Sequence, residues 1–208
     1  MVSRQSLETH DDAVLLSAFA QGDAVAFEVL LARHQRPVFN FLLRSVRDQA
    51  RAEDLLQEVF LRVIQNAEQF QRSAKFTTWM YAIARNLCVD HARKMAHRRH
   101  ASLDAGSLGD DAAALHERIA SAAPTTEDLA AAPSLREKIA IAVEALPEEQ
   151  REVFLLRQLQ GLAFSDIASV VGVSENTVKS RMRYALERLQ QALSPYEGHV
   201  KSTDRSSP

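Results

Sequence analysis

Apolar residues recur along this chain at intervals of three and four, the spacing that lines one face of an α-helix. Val14, Leu15, Ala18 and Phe19 form such a face within residues 13–20. Asp23 is placed to cap a longer helix in which Phe27, Leu30, Leu31 and His34 lie one turn apart. Pro37 interrupts that pattern, and since proline removes a donor and crowds the preceding turn, it predicts a kink or a break there. The pattern resumes through Val38, Phe41, Leu42 and Ser45. Residues 52–66 set Leu55, Leu56, Val59, Phe60, Val63 and Ile64 on one face and Glu53, Asp54, Gln57, Glu58 and Arg62 on the other. A polar loop over residues 69–75 leads to a helix over 76–95, with Trp79, Ile83, Leu87 and Met80 directed inward.

Past residue 133 the helical spacing returns. A helix over 135–145 ends at Pro147, which suits the first turn of the next helix, as do the charges of Glu148 and Glu149. Val153, Leu155 and Leu156 are its buried set, and Gly161 ends it. Between the two helical regions, residues 100–133 are rich in Ala, Ser, Gly and Asp, contain Pro124 and Pro133, and sustain no period. The expectation is an all-α protein of two small helical domains, 11–99 and 134–193, joined by a flexible linker over 100–133, with a disordered tail over 194–208.

Charge sharpens this division. Residues 1–99 carry 14 Lys+Arg against 11 Asp+Glu, residues 100–133 carry one against six, and residues 134–208 carry ten of each. The linker is therefore acidic within a near-neutral chain. Residues 72–100 hold seven basic side chains and one acid, Asp90, a local footprint suited to nucleic acid or to a solvated helix face. A single cysteine, Cys88, excludes an intramolecular disulfide framework and fits a reducing compartment. No apolar run approaches the roughly 18 residues of a membrane span, and the first residues lack the apolar stretch of a signal peptide, so a cytoplasmic protein without membrane insertion is expected.

The most specific local pattern spans residues 161–189 and reads as a helix-turn-helix. A short helix carries Ile167, Ala168 and Val171, Gly172 reverses the chain, Val173 fills the angle, and Ser174 caps a second helix by accepting from the Thr177 amide. With Val178 and Met182 inward, Ser174, Glu175, Asn176, Thr177, Lys179, Ser180, Arg181 and Arg183 lie on or near the free side. The N-terminal residues of such a helix read base edges in the major groove, and its Lys and Arg neutralise phosphates.

At this point the chain resembles a known family. Residues 52–94, AEDLLQEVFLRVIQNAEQF followed by FTTWMYAIARNLCVDHARK, look like region 2 of bacterial sigma-70-type sigma factors. Residues 146–189, LPEEQREVFLLRQLQGLAFSDIASVVGVSENTVKSRMRYALERL, are similar to their region 4. With nothing but a linker between them, the two resemble the extracytoplasmic-function (ECF) subgroup.

The resemblance implies a non-enzymatic protein without cofactor or metal. Its partners would be core RNA polymerase, through the clamp helices of the largest subunit and the flap, together with promoter DNA and an anti-sigma factor. It implies polymerase binding by Asp54, Gln57, Glu58, Leu61 and Arg62, with Phe60 shared between that face and the core. Contacts to single-stranded −10 DNA would come from Arg72, Ser73, Lys75, Thr78, Trp79, Tyr81, Arg85, Asn86, Arg93 and Lys94, with Arg98 and Arg99 near phosphates. Trp79 lies between Phe76 and Ile83 on a helical face, which leaves open whether it is core or stacks on a base, and Tyr81, pointing elsewhere, is the better stacking platform. The helix-turn-helix residues named above would read the −35 duplex. Asn176 stands where many members have glycine, and residues 71–74 are individual, so neither promoter preference transfers.

Two rival readings remain from the residues alone. A stand-alone helix-turn-helix regulator would bind duplex tightly without polymerase. A metal-dependent enzyme is prompted by Cys88, His91, His97 and His100, but no carboxylate pair or second histidine falls at ligand spacing.

Overall fold

The computed structural model describes residues 7–70, 74–104 and 134–196, with side chains in the second stretch described to residue 98. Its helices are α1 (Asp12–Ala20), α2 (Ala24–Val46), α3 (Gln49–Gln65), α4 (Phe76–Asp104), α5 (Leu135–Glu144), α6 (Glu148–Gln158), α7 (Phe164–Val171) and α8 (Glu175–Leu193). Single 3₁₀ turns lie at Ala67–Gln69 and Ser194–Tyr196. Every regular element among the described residues is helical, as the apolar spacing requires.

Aspartates start the first three helices. Asp11 accepts from the Ala13 amide at 2.8 Å, Asp23 from Val25 and Ala26 at 3.0 and 3.4 Å, and Asp48 from Arg51 at 3.0 Å. Each such cap is worth about 1 kcal/mol, because it satisfies amides that have no partner inside the helix. Ser134 and Glu137 form a reciprocal capping box at the start of α5.

The described residues fall into two compact units. The first draws on Met1–His91 and Leu146–Arg188, the second on Ala92–Ala145 and Leu189–Pro208. In the first unit α2 is the central helix, with α1 and α3 packed along it. Leu15, Leu16, Leu30, Val38, Leu42, Val59 and Val63 are fully buried. Residues 76–87 of α4 close this core. Tyr81 meets Phe41 edge-on at 5.5 Å, and Phe76 lies 5.4 Å from the His34 ring. An ion-pair clamp secures the N-terminal residues: Arg33 donates to Asp12 at 2.6 Å and to the carbonyls of His10 and Glu8 at 2.9 and 2.6 Å. His34 Nε2 lies 2.8 Å from the other Asp12 oxygen. Burial by itself would raise the Asp12 carboxyl. The hydrogen bonds and charges of His34 and Arg33 outweigh it and hold the group below the ordinary aspartate value.

In the same unit, α6 contributes Val153, Leu155 and Leu156, α7 contributes Ile167, Val170 and Val171, and α8 contributes Val178, Met182 and Ala185 to burial. The second unit is slighter. Its α5 buries Ala142 and Val143 but leaves Leu135, Ile139 and Ile141 exposed. Lys138 places its ammonium 3.9 Å from the centre of the Tyr196 ring.

Several expectations are corrected. Pro37 does not break α2, which runs continuously from Ala24 to Val46. Proline in a helix interior costs about 3 kcal/mol, and the neighbouring burial of Val38, Phe41 and Leu42 offsets that loss. On α1 the buried pair is Leu15 and Leu16, while Val14 is 46% exposed. Ile64 is 40% exposed rather than in the core. The helix expected to stop at residue 95 continues to Asp104, into the stretch read as linker. Ser194–Tyr196, expected in the disordered tail, form a 3₁₀ turn. Residues 105–133 of the expected linker and 197–208 of the expected tail lie outside the described residues.

Candidate nucleic-acid interface

The helix-turn-helix is built by local chemistry. Gly172 ends α7 at φ 75° and ψ 35°, a left-handed conformation that a side chain would strain. Its amide donates to the Ala168 carbonyl at 2.9 Å, and the Val173 amide donates to the same oxygen at 3.2 Å. Ser174 Oγ accepts from the Thr177 amide at 3.1 Å, as the sequence predicts. Val178 and Met182 turn inward, and Val173 is half-buried in the turn. Ser174, Glu175, Asn176, Lys179, Ser180 and Arg183 are exposed and share one side of α8, with Thr177 half-buried beside them. Lys179 is 2.7 Å from Glu175, and Arg183 is 3.8 Å from Glu187, so both cations lie along the exposed helix surface. Arg181 departs from the free-face reading. Its side chain is only 18% exposed and is paired with Glu149 of α6 at 2.7 Å.

On α3, Asp54, Gln57 and Leu61 are exposed, and Glu58 and Arg62 are half-exposed and paired with each other at 2.9 Å. Leu61 is 51% exposed, and Ile64 continues its row one turn on. Two apolar side chains thus stand in water beside an acidic and amide edge, a surface suited to a protein partner. Phe60 does not share it. It is buried, edge-on to Phe27 at 6.3 Å. Sequence reasoning missed Ile64 because its position also satisfies the core period of the helix.

The aromatics of α4 exchange the places expected for them. Tyr81 is fully buried, and its hydroxyl has no hydrogen-bond partner. Burial pushes that phenol well above its ordinary pKa. Its ring is sealed in the core and presents no face to a base. Trp79 is half-buried, 5.1 Å from Phe70 and 6.1 Å from Phe76, and it lines a recess of about 340 Å³ with Arg62, Asn66, Gln69 and Ile83. Asn66 is oriented there by donating to the Arg62 carbonyl at 2.8 Å. Asn66 was not singled out from the sequence, since it ends α3, where no periodicity speaks; Gln69 opens the polar loop 69–75, which the resemblance matches to the family loop that captures a flipped base.

The other α4 candidates divide. Asn86, Arg93, Lys94 and Arg98 are exposed. Thr78 is half-buried with an unpartnered hydroxyl. Arg85 pairs through Nε with Glu152 at 2.8 Å, and Lys75 pairs with Asp166 at 2.7 Å. Burial raises the Glu152 carboxyl above its ordinary value, while the Arg85 charge opposes that rise. Burial pushes the Cys88 thiol up to about 12, which keeps it neutral. Arg72 and Ser73, and the side chains of Arg99 and His100, lie outside the described residues. Among the described residues no three His, Cys, Asp or Glu side chains converge as a metal site would require.

A helix-turn-helix with a polar and basic outer face, carried with a bundle that holds a tryptophan recess, defines a helical DNA-binding protein. The comparisons give the family. Sigma-70 region 2 matches residues 30–99, and sigma-70 region 4 matches residues 136–189. RNA polymerase sigma factor CarQ of Myxococcus xanthus is 36% identical over 185 residues, 89% of this chain and 99% of that relative. The ECF RNA polymerase sigma-E factor of Escherichia coli K12 is 29% identical over 188 residues, 88% of this chain and 95% of its own. In fold, the chain is similar to the sigma factor RpoE of Bartonella quintana, solved in complex with the anti-sigma factor NepR. That match has a TM-score of 0.60 at 21% identity and covers 81% of this chain and 96% of that one. This chain belongs to the sigma-70 family, as one of its ECF sigma factors. It directs RNA polymerase to promoters for transcription initiation and is not itself a catalyst. No described helix is long and apolar enough to cross a membrane.

Proposed function

We propose that the three surfaces divide the work of initiation. The outer face of α3, with Asp54, Gln57, Glu58, Leu61 and Arg62 extended by Ile64, docks on the clamp helices of the polymerase largest subunit. The single observation that carries this reading is the exposure of Leu61 and Ile64 beside that acidic edge. Apolar side chains at an interface core, rimmed by charge, give both affinity and register.

The recess beside Trp79 takes a base of the opened −10 strand, with the indole as stacking platform and Asn66, Gln69 and Arg62 as hydrogen-bonding edges. Extruding a base costs a few kcal/mol, and a shaped pocket with stacking of about 1–3 kcal/mol per base recovers it. Asn86, Arg93 and Lys94 follow the strand's phosphates. The exposed N-terminal residues of α8 read the −35 duplex, with Asn176 and Ser180 toward base edges and Lys179 and Arg183 toward phosphates. The second module also meets the polymerase flap. The solved relative bound to an anti-sigma factor supports a similar inhibitor for this chain, acting in the cytoplasm.

Co-elution with bacterial core RNA polymerase on a sizing column tests the docking surface. The wild-type chain is expected to co-elute, and Asp54→Arg combined with Gln57→Ala to elute alone while keeping its helical circular dichroism. Co-elution of the variant at wild-type yield would remove α3 from the interface.

A further inference from the structure

A histidine on the apolar face of α2 is joined to the indole of the −10 recess through a single ring. His34 Nε2 lies 2.8 Å from Asp12 of α1, and the two side chains are 13% and 20% exposed. A carboxylate only accepts, so Nε2 carries the hydrogen and donates it. The His34 ring lies 5.4 Å from that of Phe76, the first residue of α4. Phe76 is buried and packs in turn against Trp79 at 6.1 Å and Phe70 at 6.2 Å. Phe70 completes the set by meeting Trp79 at 5.1 Å, immediately after the turn that carries Gln69. All of these residues lie in the first compact unit. Trp79 lines the recess while Phe70, Phe76 and His34 do not, so these three brace the indole from outside it. An apolar side chain at position 34 would fill the same space with no preferred rotation. A buried imidazole needs a hydrogen-bond partner, and a directional bond at one nitrogen fixes the plane of the ring.

We infer that His34, anchored by Asp12, is a positioning residue for the −10 recess: through Phe76 it sets the rotation of the Trp79 indole on which the extruded base stacks. This rests on the proposed role of that recess. An indole free to turn has to be immobilised each time a base arrives, whereas one already held costs the bound state nothing further. Immobilising one such side chain weakens binding about twofold to fivefold. The anchor needs an acceptor at position 12 rather than a charge. That separates it from the ion pair the same carboxylate makes with Arg33 at 2.6 Å. In this way α1 takes part in promoter opening without touching DNA.

Two measurements test this. Trp79 is the single tryptophan of the chain, so intrinsic fluorescence of the full-length protein reports on that indole alone. His34→Ala and Asp12→Ala are expected to lower its steady-state anisotropy and to raise its quenching by acrylamide, with helical circular dichroism unchanged. Asp12→Asn keeps an acceptor and is expected to retain the wild-type anisotropy although the charge is gone. If the carboxylate served only as an ion-pair partner, the two Asp12 variants would fall together. That result, or wild-type anisotropy in His34→Ala, would overturn the inference. Where His34→Ala loses helicity, the Asp12 pair decides. The second measurement uses the polymerase holoenzyme and a short single-stranded DNA that the wild-type holoenzyme selects from a random pool. His34→Ala and Asp12→Ala are expected to weaken its binding about twofold to fivefold, and Asp12→Asn to leave it near the wild-type value. Added to Trp79→Ala, His34→Ala is expected to cost nothing further, since the indole it positions is gone. An equal loss in that background would show His34 acting elsewhere and would also overturn the inference. Should Trp79→Ala alone bind at wild-type strength, the recess reading fails, and the fluorescence result still decides whether His34 positions the indole.

Discussion

The turn between α7 and α8 and the first four turns of α4 are both amphipathic helical segments of similar length, yet only one is oriented by its own sequence. In the helix-turn-helix, a left-handed glycine and a serine cap fix where each helix begins and ends. The inward and outward sides then follow from counting. In α4 the apolar arc is too wide to be self-orienting. At 100° per residue, Trp79, Ile83, Phe76, Leu87, Met80, Ala84 and Tyr81 sweep about 200° of the helix surface. Either edge of such an arc can face water. The structure centres it on Met80 and Ala84, which seals Tyr81 and opens Trp79. Local punctuation is decided within a few residues, whereas helix rotation is decided by what the rest of the fold packs against it.

The sharpest way to break this comparison is to truncate the two α4 aromatics separately. Tyr81→Ala removes a fully buried ring from contact with Phe41 and is expected to cost about 3–5 kcal/mol in urea-induced unfolding. Tyr81→Phe keeps the ring and deletes an unpartnered buried hydroxyl, so it is expected to be neutral or stabilising by up to about 1 kcal/mol. A large loss for Tyr81→Phe would mean that the hydroxyl works for function or for a partner. Trp79→Ala should divide the two properties the other way. On the proposed role it loses about 1–3 kcal/mol of base stacking, a roughly 5- to 150-fold drop in open-complex formation on a dependent promoter, with a smaller loss of fold stability than Tyr81→Ala. Permanganate footprinting of the opened strand would read the first property and urea melts the second.

The same contrast sets how much of the molecule was legible. Helix content, the caps at Asp23 and Ser174, the bounds of α7 and α8, and the exposed face of α3 all follow from spacing within one or two turns. The exposure of the −35 candidates along one side of α8 was legible because a single helix and its cap carry them, apart from Arg181, which Glu149 on another helix holds down. What failed depended on distant residues. Of the kink or break expected at Pro37, the break does not occur, because the burial of Val38, Phe41 and Leu42 around it is tertiary. Ile64 was read as core because nothing in its own helix says that no neighbour covers it. Arg85 and Lys75 were read as free cations because their carboxylate partners lie 67 and 91 residues away.

Within the locally specified region, effects should be modest and confined. Ser174→Ala removes the oxygen that accepts from the Thr177 amide and is expected to cost about 1 kcal/mol. The loss should appear as faster hydrogen exchange at the first amides of α8 and as weaker −35 binding, with α3 and α4 unaffected. Equal loosening of α4 would show that the helix-turn-helix is less self-contained than its punctuation implies.

The smallest effect tests the opposite case, a contact that joins distant turns and can be tuned by protons. Asp12 has its carboxyl held below the ordinary aspartate value, because the hydrogen bonds and charges of His34 and Arg33 outweigh its burial. Since the folded value lies below the unfolded one of about 3.9, the contribution is complete above that value and drains away as pH falls through it toward the folded value. The expected loss is about 0.5–1 kcal/mol, in the range of a partly buried ion pair. It should be absent from Asp12→Asn, whose stability should lie beneath wild type by a constant margin near pH 6 and converge with it as pH falls below about 4. Because Arg33 also ties down the carbonyls of Glu8 and His10, the acid loss should register first as fraying of the N-terminal residues, before α2 responds. If the two proteins instead lose stability in step from pH 6 downward, the carboxylate contributes nothing through its charge, and the clamp is held by the arginine's carbonyl bonds alone.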